Sequence, residues 1–184
     1  MSATETPAKT LTAMTQEVME WCHSKGWYDK PVSFREAMAL LHTEVAEASD
    51  AWRRWGTQDA TDPTVEPNLI CKPEGVGSEF ADVLIRLLDD CGRFGVDLEA
   101  EVGYHAGLYG ISESFLENMN ALHSMIARAS FAWEDAHWQF GREFAAITVF
   151  LRQCCAEYGI DLTVEYERKM TYNRTRPYRH GKRQ

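Results

Sequence analysis

Residues Ser33 to Trp55, SFREAMALLHTEVAEASDAWRRW, decide the fold of this chain. Apolar side chains recur in this stretch at alternating steps of four and three residues: Phe34, Met38, Leu41, Val45, Ala48, Trp52 and Trp55. This spacing places them along one face of an α-helix, as in a helix packed within a bundle. Ser33, followed three residues later by Glu36, predicts a capping box at the start of the helix, and Gly56 predicts its end.

A second helical stripe follows a segment rich in proline and glycine. Thr57 to Gly77 carries three prolines and two glycines and is therefore predicted to be a loop. The apolar residues that come next, from Phe80 to Phe94, have the same helical spacing and predict a helix from about Ser78 to Arg93, which Gly95 ends. Three further helices are expected: one from about Leu11 to Ser24, one after Asp97 and one after Asp161.

An internal repeat organises the chain. Gly26 to Trp52 aligns without gaps on Gly107 to Trp133 at an offset of 81 residues, and Glu79 to Glu101 aligns on Glu143 to Glu165 at an offset of 64. The second copy is thus shorter by 17 residues, about the length of the loop. We therefore expect an all-α bundle made by tandem internal duplication. Its two halves, 1–102 and 103–184, would form a fused pseudodimer packed as one globular unit.

Charge and composition limit the classes of function. The 184 residues carry a formal charge of −9, but Arg168 to Gln184 holds seven basic residues and no acid, so the remainder carries −9 − 7 = −16. A basic tail on an acidic body suits nucleic-acid binding, and equally suits a phosphate ligand held through a divalent cation. We expect a cytoplasmic protein because no apolar segment resembles a signal peptide or a membrane span. Five cysteines without a CxxC pair indicate neither a disulfide framework nor a zinc site.

Four acidic residues are the candidates for a metal-binding site. Glu44 and Glu47 lie three residues apart on the first long helix, and Glu79 and Asp82 lie three apart on the second, so each pair shares a helix face. A single such pair is usually solvated surface, but two pairs on adjacent packed helices converge on a groove. Carboxylates gathered there stay ionised only with a counter-cation, and an all-oxygen set suits Mg²⁺ or Mn²⁺.

The second copy keeps the scaffold but only one of the four acids. The positions equivalent to the four acids are Met125, Arg128, Glu143 and Ala146. Neighbouring positions such as Ala48 and Phe80 are identical in both copies, so the acid positions behave differently from these neighbours. The repeat therefore predicts one metal site, in the first half.

At these residues the chain resembles the all-α nucleotide pyrophosphatases, the superfamily of MazG-like proteins, dimeric dUTPases and dCTP pyrophosphatases. Their hallmark, ExxE followed by a spacer and ExxD, is read here in LLHTEVAEA at Leu40 to Ala48 and in KPEGVGSEFADVLIRLLD at Lys72 to Asp89. The ending KMTYNRTRPYRHGK at Lys169 to Lys182 also resembles a MazG-like C-terminus, so the resemblance covers nearly the whole chain. It implies Mg²⁺-dependent hydrolysis of a nucleoside or deoxynucleoside triphosphate to the monophosphate and pyrophosphate. The chain departs from the simpler pattern in joining two copies, which leaves a monomeric pseudodimer or a homodimer open.

The resemblance also suggests roles for individual residues. Glu47 or Glu79 is the candidate catalytic base, and all four acids are the candidate metal ligands. The candidates for substrate contact are Lys72, Lys169, Asn173 and Arg176 for the phosphates, and Trp27 or Trp55 for the base. Arg179 and His180 rank lower, and the alternative for the whole tail is a solvated basic surface.

Two further residues and two rival functions remain open at this stage. His42 precedes Glu44 by two residues, but the equivalent His123 persists in the half that lost the acids, which favours a structural role. Asp50 is either a fifth acid near the site or exposed. The rival functions are hydrolysis of another nucleotide phosphoanhydride, such as an alarmone or phosphoribosyl-ATP, and a non-catalytic module that binds a nucleotide or nucleic acid. We expect neither a membrane nor nucleic acid as the partner.

Overall fold

A computed structural model of the chain describes residues 9–57, 72–105, 107, 109–135 and 139–181. These residues form α-helices and one short 3₁₀ helix, without a β-strand, which confirms the all-α prediction. In chain order the helices are α1 (Leu11–Ser24), α2 (Phe34–Trp55), α3 (Val76–Phe94), α4 (Leu98–His105), α5 (Phe115–Asp135), α6 (Phe140–Glu157), α7 (Leu162–Thr175) and the 3₁₀ helix (Tyr178–Gly181). Among the described helices, none has the length and apolar character needed to cross a membrane.

The ends of the helices follow local sequence signals. Ser33 and Glu36 form the expected capping box at the start of α2, with the Ser33 side chain bonded to the Glu36 backbone and the Glu36 side chain bonded to the Ser33 backbone. Gly95 ends α3 in the left-handed conformation, at φ 73°. The predicted loop of residues 57–77 was too long at its C-terminal end, because α3 begins at Val76, which is fully buried. Residues 58–71 of that loop lie outside the described residues.

Helices α2 and α3 are the centre of the packing. α2 packs against α3 and α5, α3 also packs against α1 and α7, and α6 packs against α4 and α5. The largest fully buried side chains belong to several helices: Phe80 from α3, Phe144 and Phe150 from α6, and Tyr166 from α7. Burial of these aromatic rings supplies much of the hydrophobic stabilisation of the bundle.

Aromatic contacts between α2 and α5 come in matching pairs. Phe34 stacks on Trp133 with ring centroids 4.4 Å apart, and Phe115 stacks on Trp52 at 5.2 Å. Phe115 aligns with Phe34, and Trp133 aligns with Trp52, each at the offset of 81 residues. In both contacts, therefore, the phenylalanine of one copy stacks on the tryptophan of the other copy. His42 and His123, also 81 apart, contact each other directly, with their Nδ1 atoms 2.8 Å apart.

The cysteines that the structure describes are free thiols. Cys22, Cys91, Cys154 and Cys155 are all buried and unpaired with one another. Cys71 lies outside the described residues. Burial raises the pKa of these four thiols, so they behave as small apolar core residues rather than as nucleophiles.

Candidate metal centre

Helices α2 and α3 bring three carboxylates to one place. Glu44 comes from the middle of α2, whereas Glu79 and Asp82 lie three residues apart on α3 and share one face of it. One oxygen atom from each of the three side chains lies within 4.8 Å of the others. Glu44, Glu79 and Asp82 are referred to below as the acidic cluster.

Burial and nearby negative charges disfavour the charged form of Glu79 and Asp82. Burial raises the pKa of Glu79 to about 7, and the charges of Asp82 and Glu47 add to the rise. Burial also raises the pKa of Asp82, and the charge of Glu44 acts in the same direction. The fourth predicted ligand, Glu47, is exposed on α2 and is not a member of the acidic cluster, although its charge acts on Glu79.

Two cations balance part of this negative charge. Lys169, from α7, places its Nζ atom 2.6 Å from a carboxylate oxygen of Asp82 and donates a hydrogen bond of 2.7 Å to the hydroxyl of Ser78. Its side chain is almost fully buried. Arg86, one turn after Asp82 on α3, donates a hydrogen bond of 2.9 Å to Glu44. Lys169 is the main influence that opposes the effect of burial on both Glu79 and Asp82.

The acidic cluster has the chemistry of a site for a hard divalent cation. Its donors are all oxygen atoms, which Mg²⁺ and Mn²⁺ prefer. The Oε2 atom of Glu79 is buried and has no hydrogen-bond partner among the described residues. A buried carboxylate oxygen without a partner is costly, and a bound cation would remove that cost.

Lys72 and Asn173 were predicted, like Lys169, to contact phosphate, and they lie just before α3 and on α7. Lys72 is exposed just before α3, and its charge lowers the pKa of Glu79 against the larger effect of burial, so it lies within electrostatic reach. Asn173 is one turn after Lys169 on α7 and is buried, and its Oδ1 atom has no hydrogen-bond partner among the described residues.

The remaining predicted substrate residues make their contacts elsewhere. Arg176, at the end of α7, lies over the ring of Tyr172 and accepts a hydrogen bond of 2.6 Å from Lys25 at its backbone oxygen. Trp27 is half-buried and packs against the core. Trp55 is 38% exposed, with the Arg54 guanidinium 5.7 Å from its ring centre.

His42, Asp50 and Arg179 also have partners in the structure. His42 pairs with His123, and burial lowers the pKa of both imidazoles. Asp50 is exposed and forms an ion pair of 2.6 Å with Arg54. Arg179 forms an ion pair of 2.8 Å with Asp29, and the side chain of His180 lies outside the described residues.

A second group of charges on α3 was not expected from the sequence. Asp89 accepts hydrogen bonds of 2.7 Å from Tyr28 and 2.8 Å from Arg93. Its neighbour Asp90 is also buried, and burial together with the charge of Asp89 raises the pKa of Asp90 to about 8. The available signal was the double acid DD within an apolar helical stripe, which is unusual for a helix with a solvated face.

The equivalent positions of the second copy carry no acidic cluster among the described residues. Met125 and Ala146, which align with Glu44 and Asp82, are buried. Arg128 and Glu143, which align with Glu47 and Glu79, form an ion pair of 3.0 Å. The acidic cluster found among the described side chains thus belongs to the first half, and the single metal site stays a prediction.

Comparison of the chain with protein-family models, with curated proteins and with solved structures finds no match in any of the three.

Proposed function

We propose that this protein hydrolyses a nucleoside or deoxynucleoside triphosphate to the monophosphate and pyrophosphate, with Mg²⁺ as cofactor. The observation that carries this proposal is the convergence of the Glu44, Glu79 and Asp82 carboxylates within 4.8 Å of one another. The resemblance of the ExxE and ExxD segments to the MazG-like superfamily supports the choice of reaction and substrate. Pyrimidine substrates are preferred on the same family grounds.

The acidic cluster would hold the cation, with the exposed Glu47 as the fourth candidate ligand. When bound, Mg²⁺ supplies positive charge that offsets the charge of the substrate phosphates and lowers the pKa of a bound water. Mn²⁺ is an acceptable substitute because it takes the same oxygen donors.

Side chains of the protein would supply the general base and the contacts to the phosphates. Glu79 is a candidate general base because burial raises its pKa to about 7, which suits proton transfer near neutral pH. Glu47 is the alternative base, since it is exposed and its charge acts on Glu79. Lys169 would position Asp82 through their ion pair, and Lys72, which is exposed, would contact the substrate phosphates.

The finer architecture that we propose is a MazG-like pseudodimer created by tandem duplication. The reciprocal stacking of Phe34 on Trp133 and of Phe115 on Trp52 supports it, because a two-fold interface exchanges the same two positions. The contact between His42 and its equivalent, His123, lies where the axis of such an interface would pass. The first half, 1–102, then carries the catalytic acids and the second half, 103–184, does not.

The experiment is a measurement of pyrophosphate release with Mg²⁺ from a panel of canonical and modified nucleoside triphosphates. Wild type is compared with Glu79→Gln and Asp82→Asn, which keep the side-chain size but remove the charge. We expect one preferred substrate, and a loss of about 10²-fold or more in kcat for each variant. Glu157→Gln, the same type of change at an exposed site on α6, is the matched control and keeps the wild-type rate.

Absence of pyrophosphate release from every triphosphate, with folded protein and Mg²⁺ present, would contradict the proposal. Alarmones and phosphoribosyl-ATP are the next substrates to test on the same cluster. A non-catalytic module would instead bind nucleic acid in a salt-sensitive way that needs the basic tail and ignores both Mg²⁺ and Glu79→Gln.

A further inference from the structure

A polar cleft lies in the second half of the chain, where the first turn of α6 meets α5. Its volume is about 350 Å³, which is within the range of about 300–1,000 Å³ for small-molecule sites. Two alanines and five polar or aromatic residues line it, the latter being Tyr109, Arg128, Gln139, Arg142 and Glu143. None of them belongs to the acidic cluster.

The charged groups of this cleft favour an anion. Arg128 and Arg142 provide two guanidinium groups against the one carboxylate of Glu143. Arg128 uses only its Nε atom in the ion pair with Glu143, and Arg142 has no ion-pair partner among the described residues. Guanidinium groups with uncommitted N–H donors bind the oxygen atoms of phosphate in a bidentate geometry.

The helix that forms one wall adds to this preference. Gln139, Arg142 and Glu143 all lie at the N-terminal end of α6, an 18-residue helix whose backbone dipole places partial positive charge there. Gln139 stands at the N-cap and makes no side-chain capping bond, and the Glu101 carboxylate lies against Gly141 in the same first turn, where it competes for part of this positive charge.

Tyr109, another lining residue of the cleft, is held against α6 by packing. The ring of Tyr109 meets Phe150 edge-on, with centroids 6.1 Å apart, and the backbone N–H of Tyr109 donates a 3.1 Å hydrogen bond to the side chain of Gln153. Ala146, where the aligned position of the first half has Asp82, removes a negative charge and leaves space in the cleft.

The cleft thus lacks the net negative charge of the aligned positions in the first half. Arg128 replaces Glu47, and Ala146 replaces Asp82, while Glu143 is the only acid retained. A phosphate at the acidic cluster would need a divalent cation between it and the carboxylates, whereas a phosphate in this cleft meets arginine directly.

We propose that the α5/α6 cleft binds the phosphate group of a small phosphorylated molecule without a divalent cation. It is a second anion site, separate from the acidic cluster, and it does not depend on the reaction proposed above. A nucleotide and a free inorganic phosphate or pyrophosphate present the same chemistry to the two arginines, so the test includes both sources.

The test is isothermal titration of the full-length protein with inorganic pyrophosphate in EDTA at low ionic strength. We expect saturable binding of one ion, weakened by about tenfold or more in Arg128→Gln and in Arg142→Gln, because each loses a charge-assisted hydrogen bond. Glu143→Gln is expected to have the opposite effect and to tighten binding, because it removes the carboxylate that competes with the anion for Arg128. Arg152→Gln, which removes the same charge from an exposed position on α6, is the control and stays within about twofold of wild type.

Three outcomes would overturn the proposal: no saturable binding, equal weakening in Arg152→Gln, or binding that requires Mg²⁺ and disappears in Glu79→Gln. The last would place the anion at the acidic cluster instead. Titration with inorganic phosphate and with dCMP separates the ligand sources: tighter binding of dCMP identifies a nucleotide site, and equal binding identifies a site that reads phosphate alone. Circular dichroism confirms that each variant is folded.

Discussion

Replacement of Lys169 by methionine tests how the acidic cluster is held together in the absence of a metal. The Lys169 side chain is 3% exposed and joins α7 to α3 through its contacts of 2.6 Å to Asp82 and 2.7 Å to Ser78. Methionine keeps much of the length and apolar volume of the side chain but removes the charge. The three carboxylates of the cluster then face one another without their nearest buried cation.

The magnitude follows from the burial of the pair. Removing one partner of a buried ion pair costs about 3–5 kcal/mol, and the lower end applies here because Asp82 is 22% exposed to water. We therefore expect Lys169→Met to lower the free energy of unfolding by about 3 kcal/mol near pH 8 in EDTA.

The cost also depends on pH, with a sign fixed by the acids. Burial raises the pKa of Glu79 and Asp82, and Lys169 is the main influence opposing it, so both pKa values rise further in the variant. The folded variant then binds more protons than the unfolded chain between about pH 4 and 8, and its stability falls as pH rises through that window. The destabilisation is accordingly smaller near pH 5.5 than near pH 8.

Urea unfolding followed by circular dichroism, at both pH values and in EDTA, measures this difference. Lys9→Met is the matched control, because Lys9 also lies 2.7 Å from two carboxylates, Glu17 and Glu167, but is 33% exposed. An exposed pair contributes about 1 kcal/mol or less. A cost of Lys169→Met no larger than that of Lys9→Met, or one that is the same at both pH values, would contradict the role of Lys169 as the buried cation of the acidic cluster.

Two further changes probe buried charge and helix capping. Asp90→Asn is expected to flatten the pH dependence of stability. The pKa of Asp90 is raised to about 8, so its folded form keeps a proton that the unfolded chain releases. This one group therefore contributes a fall in stability of about 1.4 kcal/mol per pH unit between about pH 5 and 7, which the variant loses. Urea unfolding across that range measures the slope, and an unchanged slope in the variant contradicts the assignment. Ser33→Ala is expected to cost about 1 kcal/mol in the same assay because it breaks the capping box of α2. The aligned Ser114→Ala should cost less, since the carboxylate of Glu117 bonds Ser112 instead, and the reverse order would contradict this explanation.

The features predictable from the sequence are those set by local signals. The start of α2 follows from Ser33 and Glu36, and its end from Gly56, because caps and helix-ending glycines act within a few residues. Glu44, Glu79 and Asp82 were also predictable as neighbours, since their spacing puts them beside the apolar stripes of two helices that must pack together.

The features that the sequence did not predict depend on long-range packing. A basic tail is ordinarily solvated, and only the docking of α7 on α3 turns Lys169 into a buried partner of Asp82. The position of Arg86 against Glu44 likewise depends on how α2 meets α3. Asp90 lies on a helix that α1, α2, α6 and α7 all contact, so the simple division of α3 into an apolar and a solvated face fails there.

The proposed duplication gives a physical account of why the two halves differ where they do. Phe34, Trp52 and their equivalents stack reciprocally between the halves, and loss of one such ring opens a cavity that costs about 3–5 kcal/mol. Arg128 and Glu143 line an open cleft, where a change of charge costs far less. On this proposal, a change of charge at Arg128 or Glu143 costs less than loss of a ring that stacks between the two halves. A fused chain can in this way carry one cleft suited to a cation and another suited to an anion on the same helical frame.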